Sequence, residues 1–170
     1  MPSQIYKDLR EQLDQYSVGF PETDSGVEYK ILQRLFDEEE AGTYLNMSMM
    51  SEPVETIAAR TGEDAAALTK RLEKMVDKGL IFRLRKDDAV KYGAAAFMVG
   101  SYEYQLKSID KEFAQLFEQY FVEAFAKESA STTALLRTIP VNKAIDVTWT
   151  VAPFEDVRQI VKSKDKIAVA

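Results

Sequence analysis

The chain has 170 residues, 46% hydrophobic and 29% charged, with a formal net charge of −6. That length supports one domain, or two small ones, around a sizeable core. With no cysteine and no histidine, disulfides, thiolate or Ser-His-Asp nucleophiles, and zinc sites of the Cys/His kind are all excluded.

No apolar run approaches the roughly 18 residues a bilayer span needs. The opening MPSQIYKDLR is too polar for a signal peptide, so a cytoplasmic protein is expected. Any catalysis would rest on carboxylates, Lys, Tyr or a hydroxyl, and no arrangement of these stands out. The expectation is a protein without catalytic or metal residues.

Residues 3–16 place Ile5, Leu9, Leu13 and Tyr16 on one face of a short amphipathic helix. After a Gly/Pro-broken loop, Ser25 and Glu28 fit a capping box. The helix they start carries Val27, Ile31, Leu35 and Phe36 and is expected to run to about Leu45. Within it lie Asp37, Glu38, Glu39 and Glu40. Consecutive helical positions point about 100° apart, so four acids in a row read as a solvated turn, not a metal site. Residues 46–52 form a loop whose Met47, Met49 and Met50 are expected to fill gaps beneath it.

Pro53 to Phe97 carries the order helix, short turn, helix, strand, basic turn, strand. Val54, Ile57 and Ala58 mark the first helix, behind Pro53. Thr61, Gly62 and Glu63 form the turn, and Asp64 caps the next helix. Leu68, Leu72, Met75 and Val76 give that helix one apolar stripe, and Gly79 ends it. Leu80–Leu84 and Val90–Ala94 then flank Arg85, Lys86, Asp87 and Asp88 as a hairpin. This is the order of a winged helix-turn-helix.

Charge qualifies what that unit does. Residues 1–50 hold ten acids against four bases, and the second helix with its flanks (63–78) is balanced at four against four. Only the wing is locally basic, with Arg83, Arg85, Lys86 and Lys91 against Asp87 and Asp88. If the unit read DNA, Thr69, Lys70 and Lys74 would face the groove. Arg83, Arg85, Lys86 and Lys91 would contact the backbone. The residues that usually reach bases are here Glu63, Asp64, Ala65, Ala66 and Ala67, two acids and three methyls.

Beyond Gly100, Tyr102, Leu106, Ile109, Phe113, Leu116, Tyr120 and Ala124 recur at steps of four and three, widened by Phe117, Phe121 and Phe125. One helix of about 25 residues with so broad a face must bury it, and dimerisation through it is expected ahead of intramolecular packing. Further on, Leu136–Val141 reads as a short extended piece. Ile145, Val147, Trp149 and Val151 alternate as a strand. Pro153 opens a helix with Phe154, Val157, Ile160 and Val161 on its apolar side. Ile167–Ala170 reads as a strand that should continue.

The expected fold is therefore mainly α (α+β). A winged-helix domain fills 1–98, a long packing helix 99–128, and a small strand-helix-strand element 129–170.

Taken together, SVGFPETDSGVEYKIL, KGLIFRLRK, MVGSYEYQL, RTIPVN and VKSKDKIAVA resemble the N-terminal region of a bacterial 4Fe–4S ferredoxin-type protein family. The resemblance covers essentially the whole chain. In that family the segment similar to KIAVA leads into cysteine-rich stretches whose thiolates hold the clusters. The resemblance thus implies either a truncated chain, which the apolar ending favours, or a relative that has lost the electron-transfer part, and it assigns the 4Fe–4S clusters to a missing C-terminal part. It implies a scaffold, subunit-contact or docking role here, with a homodimer or a cluster-bearing domain as partner and no membrane. The alternative is a winged-helix transcriptional regulator binding DNA; a combined case adds a cluster in the missing part that senses redox state and alters the winged unit.

Overall fold

A computed structural model describes residues 2–16, 19–87, 89–129 and 154–165. The chain divides into a first unit, Met1–Leu136, and a second, Arg137–Ala170. The first is mainly helical with a small two-stranded antiparallel sheet.

Helix α1 (Gln4–Asp14) buries Tyr6, Leu9 and Leu13. Ile5 and Tyr16, expected on the inner face, are only partly buried, and Tyr6 takes the inner place by donating to the Phe36 carbonyl at 2.9 Å. Helix α2 (Val27–Leu35) is capped by Gly26, not Ser25. Glu28 does not reach back to the cap. It is buried and accepts from the Thr23 hydroxyl.

The single helix expected from Val27 to Leu45 is broken. Phe36 is extended at φ −113° and ψ 132°, and a new helix, α3 (Glu38–Leu45), starts behind Asp37. Asp37 accepts the Glu40 N–H at 2.8 Å while Glu40 accepts the Asp37 N–H at 3.0 Å, a complete capping box. The acidic run is thus a helix start, where negative charge meets the free N–H groups. It is not wholly solvated either, since Glu40 is 1% exposed. In the loop that follows, Met47 fills the core as expected, whereas Met49 and Met50 are exposed.

Helices α4 (Val54–Thr61) and α5 (Ala65–Asp77) follow the sequence reading closely. Ile57 and Ala58 are buried from α4, and Leu68, Leu72 and Met75 from α5. Asp64 accepts the N–H groups of Ala66 and Ala67 at 3.1 and 2.9 Å. Gly79, at φ +72°, ends the helix in the left-handed region, where a side chain would be strained.

Strands β1 (Ile81–Lys86) and β2 (Ala89–Ala94) pair antiparallel, Leu84 opposite Lys91 and Lys86 opposite Ala89. Arg85 and Lys86, expected in the turn, lie in β1, and the connection is only two residues long. Asp87 takes the positive φ of 53° that such short hairpins favour. Glu52 bridges to Tyr92 on the other side of β2.

The 25-residue helix is not one helix. A π-helical turn (Phe97–Ser101) leads into α6 (Tyr102–Gln105); the chain turns, and α7 (Lys111–Tyr120) restarts behind Asp110, which accepts the Phe113 N–H at 2.9 Å. A second π-helical turn (Phe121–Phe125) and α8 (Ala126–Ser129) follow. Each π turn carries an extra residue and rotates the face that follows it. The evenly spaced stripe is therefore divided. Phe113, Phe117, Tyr120, Ala124 and Phe125 join the core, Tyr102, Ile109 and Leu116 are half-buried, and Leu106 and Phe121 are exposed. Phe97 packs between Phe20, 4.2 Å away by ring centroids, and Phe117 and Tyr120. The unit's own core thus accounts for most of the aromatic face assigned to a dimer.

In the second unit the described residues form α9 (Phe154–Lys162), with Ile160 and Val161 exposed. The extended piece 136–141, the strand 145–151, Pro153 and the final strand 167–170 lie outside the described residues.

Candidate functional site

The residues expected to meet DNA come from α5 and the β1–β2 hairpin, and the structure divides them into engaged and free. Thr69 is half-buried and turns its hydroxyl to the Ala65 carbonyl at 2.7 Å. Lys74 lies 3.2 Å from Asp37 and 3.0 Å from Glu40. Contact with Glu40, then Asp37, raises the pKa of its ammonium. Lys78, at the end of α5, reaches the other oxygen of Glu40 at 2.5 Å. Arg71 is held by Glu63 at 2.7 Å, by Glu39, and by the Thr43 hydroxyl at 3.0 Å. Burial opposes its charge, but Glu63 and Glu39 outweigh that and raise its pKa.

Arg83 leaves the hairpin to pair with Glu73. The Tyr92 hydroxyl donates to the same carboxylate at 2.5 Å. That bond, helped by Arg83, holds Glu73 below the usual range, while burial and Glu73 push Tyr92 up to about 12. Asp37 is likewise lowered, chiefly by the Glu40 N–H and then by Lys74.

Four of the expected cations remain without an ion pair among the described residues: Lys70, Arg85, Lys86 and Lys91. The last three are gathered on the hairpin. Lys86 and Lys91, with Leu84, Asp87 and Ala89, line a shallow groove of about 300 Å³. Apolar side chains stand exposed beside it: Leu84 at 51% and Phe82 at 39%. Phe82 meets Tyr104 edge-on at 6.1 Å between centroids.

Sequence reasoning missed the partners that engage the cations of α5 and its end, Asp37, Glu39, Glu40 and Glu63, and Glu73 of α5 itself, which engages Arg83 of β1. One local signal was present, because Asp37-x-x-Glu40 is itself a capping-box pattern. Glu63 and Glu73 meet Arg71 and Arg83 from 8 and 10 positions away, and Glu39 meets Arg71 from 32, none of them at a helical spacing that marks a pair.

Among the described residues no group of three or more His, Cys, Asp or Glu could hold a metal ion. No described helix is long and apolar enough to cross a membrane. Compared with known protein families, with curated proteins and with solved structures, the chain matches none.

Proposed function

We propose that this chain is a non-catalytic winged-helix module that docks other protein, and that it does so as part of a cytoplasmic 4Fe–4S ferredoxin-type protein. In this reading α3, the Glu52 bridge, α4, α5 and the β1–β2 wing are the successive winged-helix elements. Any cluster would be held outside these 170 residues, which contain no cysteine.

The observation that carries the docking role is the state of α5. Arg71 and Lys74 are engaged by carboxylates of the same chain, as is Lys78 just past its end. Its N-terminus offers Glu63, Asp64 and three alanines. A helix that reads DNA needs free donors and a basic face, and on α5 only Lys70 lacks an ion pair among the described residues. Net charge of −6 adds long-range repulsion from phosphate.

The alternative, a DNA-binding regulator, draws on one observation: Arg85, Lys86 and Lys91 on the wing have no ion pair among the described residues. A titration with duplex DNA at low and moderate salt decides between them. Docking predicts no measurable binding. A wing-held duplex would instead show log K falling with log salt at a slope of about −3, from about three phosphate contacts, and that result would refute the docking role.

A further inference from the structure

The two edges of the small sheet are not equivalent. On the outer side of β2, Glu52 and Tyr92 exchange both main-chain hydrogen bonds at 2.8 Å, and the Ala94 N–H donates to the Ser48 carbonyl at 2.8 Å. Tyr92 and Ala94 therefore direct their main-chain groups away from β1. Antiparallel pairs alternate between hydrogen-bonded and non-hydrogen-bonded. The bonded pairs of the hairpin are then Phe82–Gly93, Leu84–Lys91 and Lys86–Ala89. By the same alternation Arg83 and Arg85 point their N–H and C=O groups out of the sheet, along the edge of β1. No further backbone partner of β1 occurs among the described residues.

An open edge is a template for another strand unless something blunts it. The side chains beside this one say what kind of strand fits. Successive residues alternate faces, so Phe82, Leu84 and Lys86 share one face of β1 with Ala89 and Lys91 of β2. Phe82 and Leu84 are exposed there. Lys86 and Lys91 lie at the hairpin end of that face, with Arg85 on the other face, and all three are unpaired among the described residues. Phosphate would neutralise the lysines but leave the apolar side chains in water. A peptide strand satisfies all three features: its backbone pairs with Arg83 and Arg85, its apolar residues cover Phe82 and Leu84, and its carboxylates reach the tip.

We propose that the β1 edge binds an extended protein segment with apolar residues at alternate positions, followed by acidic residues beside Arg85, Lys86 and Lys91. This inference rests on the docking role and specifies its surface and the chemistry of its partner. The mode is strand addition, in which main-chain bonds supply affinity and alternate side chains supply specificity.

The test uses the intact chain and three labelled synthetic peptides with the same alternating valines, ending in glutamates, lysines or serines. Fluorescence anisotropy should rank glutamate first and lysine last, with Leu84→Asp weakening the glutamate peptide about tenfold or more. The double variant Lys86→Glu/Lys91→Glu should reverse the preference between the glutamate and lysine peptides. Both substitutions are at exposed positions, and far-ultraviolet circular dichroism confirms that the fold is intact. N-methylation of alternate peptide amides adds a backbone readout, since one alternate set should abolish binding and the other leave it. Equal binding of all three peptides overturns the proposal, as does indifference to both N-methyl sets. Failure of every peptide together with no DNA binding overturns it alone, leaving the docking role in place. Duplex DNA displacing the glutamate peptide overturns both. A dimer that dissociates on Leu84→Asp also overturns it, because the edge would then be covered by a second copy.

Discussion

Glu40 joins the start of α3 to the far end of α5, and its removal is the most informative single perturbation. The side chain is 1% exposed. It accepts the Asp37 N–H at 3.0 Å, faces Lys74 at 3.0 Å and Lys78 at 2.5 Å. Glu40→Ala loses the N-terminal cap bond, about 1 kcal/mol. It also loses the ion pair with Lys78, about 0.5 kcal/mol because that ammonium is 36% exposed and can rehydrate, and the pair with the still more exposed Lys74, which adds little. The buried methylenes add about 1 kcal/mol. The expected cost is about 2–3 kcal/mol, below the 3–5 kcal/mol typical when a fully buried pair is broken. Glu40→Gln keeps the cap acceptor and the packing, so about 1 kcal/mol is expected. Urea unfolding followed by circular dichroism, with the slope m held constant, reads both values. A Glu40→Ala cost under about 0.5 kcal/mol, or no cost for Glu40→Gln, would show that the Glu40 carboxylate does not anchor α3 to α5. The same variants bear on function. Freeing Lys74 and Lys78 should raise DNA affinity at low salt if neutralisation is what silences α5.

Gly79→Ala should destabilise by more than about 1 kcal/mol in the same assay, because φ is +72° and an added methyl would overlap the Tyr104 Cβ. Phe117→Ala should cost about 3–4 kcal/mol, with an unfolding midpoint independent of protein concentration; a concentration-dependent midpoint would return this residue to a dimer interface. Acid should weaken the fold. Asp37 and Glu73 have folded pKa values below their unfolded ones, 3.8 and 4.5, so the unfolded chain takes up their protons first. Their contribution is complete above those values and is lost as pH falls through the lowered folded ones. Urea midpoints should therefore drop between about pH 5 and about pH 3, and Asp37→Asn with Glu73→Gln should flatten that dependence.

The parts of this fold that could be read from sequence are those whose causes are local. The stripe Leu68, Leu72 and Met75, the Asp64 cap and the Gly79 stop all lie within one helix and its ends, and each is where the sequence places it. The break at Phe36 was also locally encoded, in Asp37 and Glu40, but continuous apolar spacing across Ile31, Leu35 and Phe36 concealed it. Periodicity reports a face without reporting whether one helix or two present it. The aromatic stretch failed for a related reason. Two π turns and a fresh cap at Asp110 alter the register that the spacing of Tyr102 to Ala124 assumes, so residues aligned on paper end on different surfaces. Leu106 and Phe113 illustrate it, the one exposed and the other in the core.

Charge was the least legible feature, and the proposed docking role rests on it. Counting acids and bases along α5 gives a balanced helix, which is compatible with a solvated face, a phosphate-binding face, or a face clamped to its own fold. Those alternatives differ only in where the acids are. Arg71 meets Glu39 from 32 positions earlier in the chain, and Lys78 meets Glu40 from 38. No window of sequence contains such pairs. Once they are in place, the expected cations that stay unpaired among the described residues are Lys70, Arg85, Lys86 and Lys91, and their location matters more than their number. Arg85, Lys86 and Lys91 sit on a hairpin, Lys86 and Lys91 on the same face as exposed Leu84 and Phe82, not on a helix shaped for a groove. Free cations alone are compatible with nucleic acid; free cations beside uncovered apolar side chains and an open backbone edge match a strand of protein better.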